Sequence, residues 1–207
     1  SLVGSANGNY GQIQLNANGT YTYTLTSPAS TTPHANDGAN TLTESFTYQA
    51  TDSLGNITSS TIVVNIVDDV PKAVNDSNVA TASESLLTLN GNVLTNDIQG
   101  ADRVATGPNA GPVTPGTFTG TYGTLVLNAN GTYTYTLDSN DADFKNLHGG
   151  GNGTETFAYT LTDADGDTST ANLVLNIHNN NDPVTLNGLD VTGGELTVYE
   201  KNLSDGT

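Results

Sequence analysis

The sequence contains no cysteine, no methionine and no tryptophan. Without cysteine the chain can form neither a disulfide nor a thiolate metal site, so any cross-linking of its parts must use other chemistry. No apolar run reaches the ~18 residues expected of a membrane-spanning helix, and we therefore expect no membrane insertion. A core is still possible, but it must be built from thin layers of Val, Leu, Ile and Tyr.

Basic residues are also scarce, because four Lys and Arg stand against 21 Asp and Glu, for a formal net charge of -17. Nucleic acid is excluded as a partner, since binding phosphate requires clustered basic side chains. The acidity has two readings, which are solubility and cation binding. Ser1–Gly4 has no basic n-region, so we expect no signal peptide here and take the chain to be a piece of something longer.

A tandem repeat runs through the chain. Residues 10–25 read YGQIQLNANGTYTYTL, and residues 122–137 read YGTLVLNANGTYTYTL. Residues 44–66 and 155–177 match in the same order, 111 positions apart. This period is too long for a solenoid turn and fits an immunoglobulin-sized sandwich of about 100 residues.

Alternating apolar residues predict β-strands almost throughout. Tyr133, Tyr135 and Leu137 alternate with threonines, and the Asn128–Gly131 turn joins this strand to 124–128 as a hairpin. The fold class is therefore all-β, with tandem immunoglobulin- or cadherin-like β-sandwich domains. The expected domains are an incomplete repeat holding the later strands, a complete repeat, and the opening strands of a further repeat, at 1–68, 70–181 and 182–207.

Acidic residues gather at strand ends and joints. In the loop Asp163-Ala164-Asp165-Gly166-Asp167, hard oxygen ligands alternate around a glycine, as in loops that wrap one Ca²⁺ ion. The equivalent loop 52–56 keeps Asp52 and one amide. The alternative for both loops is a solvated Asp-Gly turn.

The two joints between repeats carry a second set of acids. Asp68-Asp69 precedes Pro71 and Asp76 follows it, while three asparagines and Asp182 precede Pro183. Adjacent carboxylates repel unless a cation lies between them, so one ion could fix the angle between domains. The alternative is a solvated linker.

A third set recurs at equivalent repeat positions or lies early in the complete repeat. Glu44 and Glu155 each open the strand before an acidic loop, and Asp97 and Asp102 follow the first joint. The expected metal ligands are Asp163, Asp165, Asp167, Glu155, Asp52, Glu44, Asp68, Asp69, Asp76, Asp97 and Asp182.

Signals for catalysis are poor. The histidines are His34, His148 and His178, and the first two occupy similar loops before the two glutamates. A zinc site would need further ligands, so we expect solvent-exposed loop residues instead. No cysteine nucleophile, G-x-S-x-G motif or phosphate loop is present. We therefore expect no enzymatic activity and no catalytic residues.

The runs NANGTYTYTL, ETFAYTLTDADGD, LVLNI and GNVLTNDIQGAD resemble the cadherin-like "VCBS" repeats of giant bacterial RTX adhesins. The resemblance implies type I secretion, an outer-surface location, and repeats that act as extenders rigidified by Ca²⁺, with neighbouring repeats as partners. It implies calcium ligands at the three loop aspartates and at the joint acids Asp68, Asp69, Asp76 and Asp182. Contact with a surface glycan or peptide would fall to other domains.

Two functions stay open at this point, beside a third, an accessory domain of a carbohydrate-active enzyme, that rests on fold analogy alone. The first is a calcium-rigidified extender of a cell-surface adhesin, for biofilm formation or attachment. The second is a module that binds a sugar or peptide, whose binding loop would be the Pro- and Gly-rich segment 98–121. The tail 182–207 is expected either to be disordered or to donate a strand to the incomplete repeat of another molecule.

Overall fold

The computed structural model describes residues 1–29 and 38–180. The strands are short, bounded by turns and numbered in chain order. They are β1 Gly11–Leu15, β2 Tyr21–Leu25, β3 Thr41–Thr51, β4 Ile57–Val67, β5 Asp76–Ala82, β6 Thr88–Asn92, β7 Gly116–Thr119, β8 Gly123–Leu127, β9 Thr132–Leu137, β10 Asn152–Thr162 and β11 Thr168–His178. Within these residues, helix is confined to a 3₁₀ turn, Val93–Thr95, and α1, Ala142–Lys145. The predicted all-β class is confirmed.

Two sheets form the body of the later repeat. One has the order β6-β9-β8-β7 and is antiparallel throughout. The other has the order β10-β11-β5, in which β5 runs parallel to β11. This parallel pairing brings the strand after the first joint back beside the last strand of the repeat, and periodicity alone did not predict it.

The core of this repeat lies between the two sheets. Its centre is formed by residues that alternate along β8 to β11, as the sequence pattern predicted. The buried apolar side chains include Leu125, Leu127, Tyr133, Tyr135, Leu137, Phe157, Tyr159, Leu161, Leu173, Leu175 and Ile177. Ala82, Leu89 and Val93 close it from the opening strands.

The earlier part of the chain repeats half of this arrangement. Strands β1 and β2 pair as β8 and β9 do, and β3 and β4 pair as β10 and β11 do. Ser1–Val3 lies along β3, where Val3 N–H donates to the Thr47 carbonyl. Residues 112–114 lie along β10 in the same way, with Thr114 N–H donating to the Thr160 carbonyl.

The turn between the hairpin strands depends on one glycine. Gly131 has a φ of 81° between β8 and β9, a conformation that costs a residue with a Cβ atom more than it costs glycine. Asn130 Oδ1 accepts a hydrogen bond from the Thr132 hydroxyl at 2.6 Å, and this contact between two side chains also stabilises the turn. The NANGT motif is therefore a turn signal, as predicted.

We predict opposite outcomes for two neighbouring residues of β8. Leu125 is 1% exposed and Val126 is 42% exposed. Leu125→Ala should lower the free energy of unfolding by about 2–5 kcal/mol, because it removes buried contacts and leaves a cavity. Val126→Ala, the matched control, should change it by less than about 1 kcal/mol. Chemical denaturation of both variants would measure this, and equal effects would contradict the assigned sheet faces.

Candidate metal centre

Five aspartates meet where the two repeats join. Asp68 comes from the end of β4, Asp102 from the segment before β7, and the other three from the β10–β11 loop. All five side chains are buried, and Asp165 is fully so. The set is Asp68, Asp102, Asp163, Asp165 and Asp167.

The carboxylates form two overlapping groups. Asp68, Asp165 and Asp167 each offer an oxygen such that these atoms lie within 4.8 Å of one another. Asp102, Asp163 and Asp165 do the same. Asp165 belongs to both groups, so it lies at the centre of the cluster.

Local hydrogen bonds explain how the loop presents its acids. Asp163 Oδ1 accepts from the N–H groups of Gly166, at 3.1 Å, and Asp167, at 2.8 Å. Gly166 has a φ of 110°, which glycine adopts without strain. The backbone therefore folds over the first aspartate, and Asp165 and Asp167 are held inward in a fixed loop.

Neighbouring segments are tied to this loop through their backbones. The Ala164 N–H donates to the Asp102 carbonyl at 2.9 Å, which places the Asp102 side chain beside the loop. The Gly38 N–H donates to Asp167 Oδ1 at 2.8 Å across the joint. The Asp68 N–H donates to the Asn40 carbonyl at 2.9 Å. Both repeats therefore contribute to the same site.

Several buried carboxylate oxygens have no hydrogen-bond partner among the described residues. They are Asp68 Oδ2, Asp102 Oδ1, Asp163 Oδ2 and Asp167 Oδ2. A buried charged oxygen without a partner costs several kcal/mol, and natural proteins avoid it. Carboxylate oxygens converging in this way are the donor set that Ca²⁺ prefers. The residues present thus fit a hard divalent cation.

The pKa values of the buried aspartates reflect the same lack of a compensating positive charge. Burial, followed by the charge of Asp165, raises the pKa of Asp68 to about 7. Burial, followed by a hydrogen bond to Asp165, raises the pKa of Asp163 to about 7. Burial also raises the pKa of Asp102. Without a cation, these carboxyl groups stay protonated at pH values well above the usual pKa range of a carboxyl group.

Two amide oxygens extend the possible donor set. Asn40 Oδ1 and Gln99 Oε1 are buried without a hydrogen-bond partner in the described part of the chain. Amide oxygens ligate calcium as carboxylates do. Asn40 is fixed at the joint by its backbone bond to Asp68, and Gln99 lies three residues before Asp102. Neither was predicted, because a single amide carries no distinctive sequence signal.

The linker acids serve different roles. Asp69 accepts the Ala101 N–H, 3.0 Å from Oδ2, and so ties the linker to the segment before Asp102. Asp76 and Asp97 face each other across the Tyr159 hydroxyl, whose oxygen is 2.9 Å from Asp76 Oδ2 and 3.1 Å from Asp97 Oδ1. Burial raises the pKa of both aspartates. Neither belongs to the two acidic groups, and Asp182 lies outside the described residues.

The two glutamates accept hydrogen bonds from a loop and a tyrosine. Glu155 accepts from the N–H groups of Thr121 and Tyr122 and from the Tyr135 hydroxyl. A Cβ at Gly120 would collide with its carboxylate, so the glycine permits this close approach. These bonds give Glu155 a structural role beside β8, and its assignment as a metal ligand stays a prediction.

Glu44 repeats the arrangement in the earlier repeat. It accepts from the Tyr10 N–H at 2.8 Å and from the Tyr23 hydroxyl at 2.7 Å. Burial opposes ionisation of Glu44, but the hydrogen bonds from Tyr23 and from the backbone of Tyr10 and Asn9 outweigh it and lower its pKa. The assignment of Glu44 as a metal ligand also stays a prediction.

The loop 52–56 shares the backbone turn of 163–167 but not its acids. Asp52 Oδ1 accepts from the N–H groups of Leu54 and Asn56, and its Oδ2 accepts from the Asn56 side chain at 2.8 Å. These bonds, first that of the Asn56 side chain, lower the pKa of Asp52. Leu54 and Asn56 stand where Asp165 and Asp167 stand in the other loop. These contacts are compatible with a solvated turn, and the assignment of Asp52 as a metal ligand stays a prediction.

The first part of the segment 98–121 contributes to the joint. Asp102 joins the acidic cluster, and Ile98 exchanges two backbone hydrogen bonds with Lys72. Its later residues form β7 at the edge of the four-stranded sheet. His148 is exposed, and His178 contacts Asn152 Oδ1 at 3.0 Å.

Comparison with known families agrees with this geometry. The family model for the bacterial cadherin-like domain matches residues 68–179, more than half of the chain. The chain belongs to the bacterial cadherin-like domain family. Residues 1–65 match a second model, the bacterial Ig domain. Cadherin-like and Ig domains are typically non-enzymatic structural modules, usually extracellular, and they occur in tandem arrays.

The solved structures include a cadherin with similarity to this bacterial cadherin-like chain. It is titled "Protocadherin gammaB7 EC3-6 cis-dimer structure", with 14% identity and a TM-score of 0.28, and the match covers 87% of this chain. The chain spans only 40% of that protein's length. A comparison with curated proteins found no match. Within residues 1–29 and 38–180, no helix is both long and apolar enough to span a bilayer.

The raised pKa values predict how stability depends on pH when calcium is removed. A carboxyl group whose pKa is higher in the folded state contributes stability at low pH and loses it as pH rises through the folded value. In EDTA, the melting temperature should therefore fall between about pH 4 and pH 7. Excess Ca²⁺ should abolish this fall, because the cation favours the ionised form.

The control for this pH dependence is a variant carrying both Asp68→Asn and Asp163→Asn. Its melting temperature in EDTA should vary less with pH than that of the parent, since two of the titrating groups are removed. A parent melting temperature that rises over the same interval in EDTA would contradict the assigned burial of these carboxylates.

Proposed function

We propose that this chain is a calcium-rigidified extender segment of a bacterial cell-surface adhesin that serves biofilm formation or attachment. The observation that carries the proposal is the pair of acidic groups sharing Asp165, because their ligands come from both sides of a joint. Membership of the cadherin-like family supports it, since such domains form tandem arrays and commonly bind calcium. The expected location is the outer surface of the cell.

Calcium would hold the two neighbouring domains together at this joint. With Asp68 on one side of the joint and the loop acids on the other, a bound cation links two bodies whose carboxylates otherwise repel. An interface between neighbouring domains in one chain is otherwise small and permits relative motion. Fixing it stiffens the array, which is what a segment that projects another domain from a surface requires.

The donors differ in what they contribute. Asp165 would bridge both acidic groups, so its charge acts on two positions. Asp68 supplies the carboxylate from the preceding repeat, and the Gly38 N–H holds Asp167 in place. Asp102 and Asp163 complete the group within the later repeat.

Calcium titration of two variants tests the site. Asp165→Asn removes the shared charge, so calorimetry should show fewer bound ions or affinity reduced at least about tenfold, equivalent to about 1.4 kcal/mol. Asp52→Asn, at the equivalent turn of the other repeat, should leave stoichiometry and affinity unchanged. An Asp165→Asn protein that binds calcium as the parent does would refute the assigned centre.

Rigidity is a separate expectation and needs a separate measurement. Because the chain has no cysteine, labels placed at Ala17→Cys and Asn140→Cys report on the two repeats alone. The distance distribution between these labels should narrow on adding millimolar Ca²⁺ and broaden in EDTA. A distribution that is equally narrow in EDTA would leave calcium binding intact but contradict the extender mechanism.

A further inference from the structure

The two acidic groups at the joint differ in where their carboxylates come from. In the first, which we call the within-repeat group, Asp102, Asp163 and Asp165 all belong to the later repeat. In the second, the spanning group, Asp165 and Asp167 belong to the later repeat, but Asp68 follows β4 at the end of the earlier one. One group is thus complete within a single folded body, whereas the other exists only when the two repeats are held together.

The within-repeat group is fixed by its own backbone before any cation binds. Asp163 Oδ1 accepts the N–H groups of Gly166 and Asp167. Asp102 Oδ2 accepts the Asp165 N–H at 3.3 Å. The second oxygens of these two carboxylates, Asp163 Oδ2 and Asp102 Oδ1, are buried without a hydrogen-bond partner among the described residues. Each carboxylate is therefore held through one oxygen and presents the other, so that a cation has little left to order.

The spanning group depends on a linker that changes sides within a few residues. Lys72 and Ile98 exchange two backbone hydrogen bonds, at 2.7 and 3.0 Å, which anchor the linker to the later repeat. Asp68 is bonded to the earlier repeat instead, since its N–H donates to the Asn40 carbonyl. Between them, Asp69 accepts a backbone N–H of the later repeat from an exposed position, where water competes for the bond. Asp68 therefore moves with the earlier repeat when the joint bends.

The charge of the cluster suits two divalent cations. Its five carboxylates carry five negative charges when they are ionised, so one Ca²⁺ ion leaves three charges uncompensated and two ions leave one. A third ion would make the cluster positive, and like charges at close range repel. Because Asp165 belongs to both groups, the first ion also takes up part of the charge that attracts the second.

We propose that the within-repeat group binds the first Ca²⁺ ion and the spanning group the second, and that only the second ion stiffens the joint. This order rests on the proposed function, since it concerns the same site. The first ion meets ligands that one folded body already holds together. The second ion must also fix two bodies whose relative motion is otherwise permitted, and this loss of freedom lowers its affinity.

Two calcium thresholds follow for an array of such joints. At the lower one, the buried acids of the within-repeat group are neutralised and the later repeat is stabilised, but the joint still bends. At the upper one, the joint becomes stiff. Asp68 is thus the residue that converts cation binding into stiffness, while Asp102 and Asp163 set the affinity of the first step.

The parent protein tests this order without any change at the site. Calorimetry on the full chain counts the bound ions, and labels at Ala17→Cys and Asn140→Cys report the distance distribution across the joint. Calcium should bind in two steps with midpoints at least about tenfold apart, and the distribution should narrow with the second step. Narrowing that is complete once the first ion is bound would overturn the proposal.

Asp68→Asn should separate binding from stiffness. It removes the carboxylate that the earlier repeat contributes to the spanning group. The second step should therefore weaken at least about tenfold, while the first keeps its affinity within about twofold. The label distribution should stay broad at calcium concentrations that narrow it in the parent. Loss of the first step in this variant would show that the two groups are not ordered as proposed.

Asp102→Asn is the matched variant in the other group. It weakens the within-repeat group and leaves the carboxylates of the spanning group in place. The first ion to bind should now occupy the spanning group, so narrowing of the label distribution should coincide with the first bound ion. Narrowing that still lags behind the first step, or that no longer occurs, would contradict the assignment of the tighter site to Asp102.

The fold of both variants can be checked in EDTA. Asparagine has nearly the shape of aspartate, and a buried amide costs less than a buried carboxylate without a partner, so neither melting temperature should fall below that of the parent. If either variant fails to fold, the two-step measurement on the parent still decides the order. A parent that binds no calcium would refute the proposed function itself. Two ions that bind in one step and stiffen the joint together would leave the extender function intact and refute only the order.

Discussion

Withdrawing five carboxylates from water at one joint constrains the rest of this structure more than any other interaction. Asp165 is fully buried, and the oxygens around it come from three separate segments of the chain. Burial of like charges is unfavourable unless a cation or protons compensate. The loop, the linker and the segment before β7 are held together by backbone hydrogen bonds, but their side chains are compatible only when that charge is neutralised. The geometry of the joint is therefore conditional on its ionic environment.

The two equivalent loops show that a change at two positions separates a solvent-exposed turn from a buried acidic cluster. Asp52 Oδ1 and Asp163 Oδ1 each accept the backbone N–H of the residue four positions later, so the first aspartate closes the turn in both loops. The difference lies at the following positions, where Leu54 and Asn56 replace Asp165 and Asp167. Leu54 points into solvent, whereas Asp165 is buried against Asp102. The two loops thus share a turn and differ in whether buried carboxylates follow its first aspartate.

Periodicity predicted the fold well because each strand buries one face, which leaves alternating apolar residues in the sequence. The pattern could not predict that β5 pairs parallel to β11, since pairing partners distant in the chain leave no local signal. Among the acids, spacing singled out the 163–167 loop, and repeat position drew attention to Glu155. Position alone did not reveal that the Glu155 carboxylate accepts hydrogen bonds from the Thr121 and Tyr122 N–H groups. Asp102 stood apart in sequence and was recognised as part of the cluster only once the chain was folded.

The two joints of the chain are not chemically equivalent. Asn179 occupies the repeat position of Asp68 and is buried, but its Nδ2 donates to the Phe144 carbonyl at 3.1 Å. An amide brings one acceptor oxygen and no charge, so it attracts a cation more weakly than a carboxylate does and costs less to bury. The following Asn180 N–H is bound by Glu84, which fixes the strand end within its own repeat. The described end of the later repeat is thus held by contacts within its own repeat, from an amide and from the Glu84 carboxylate, whereas the end of the earlier repeat lies beside the acids of its neighbour. Under the proposed function, the residue at this one position would therefore decide whether the end of a repeat offers a carboxylate to a cation or only an amide.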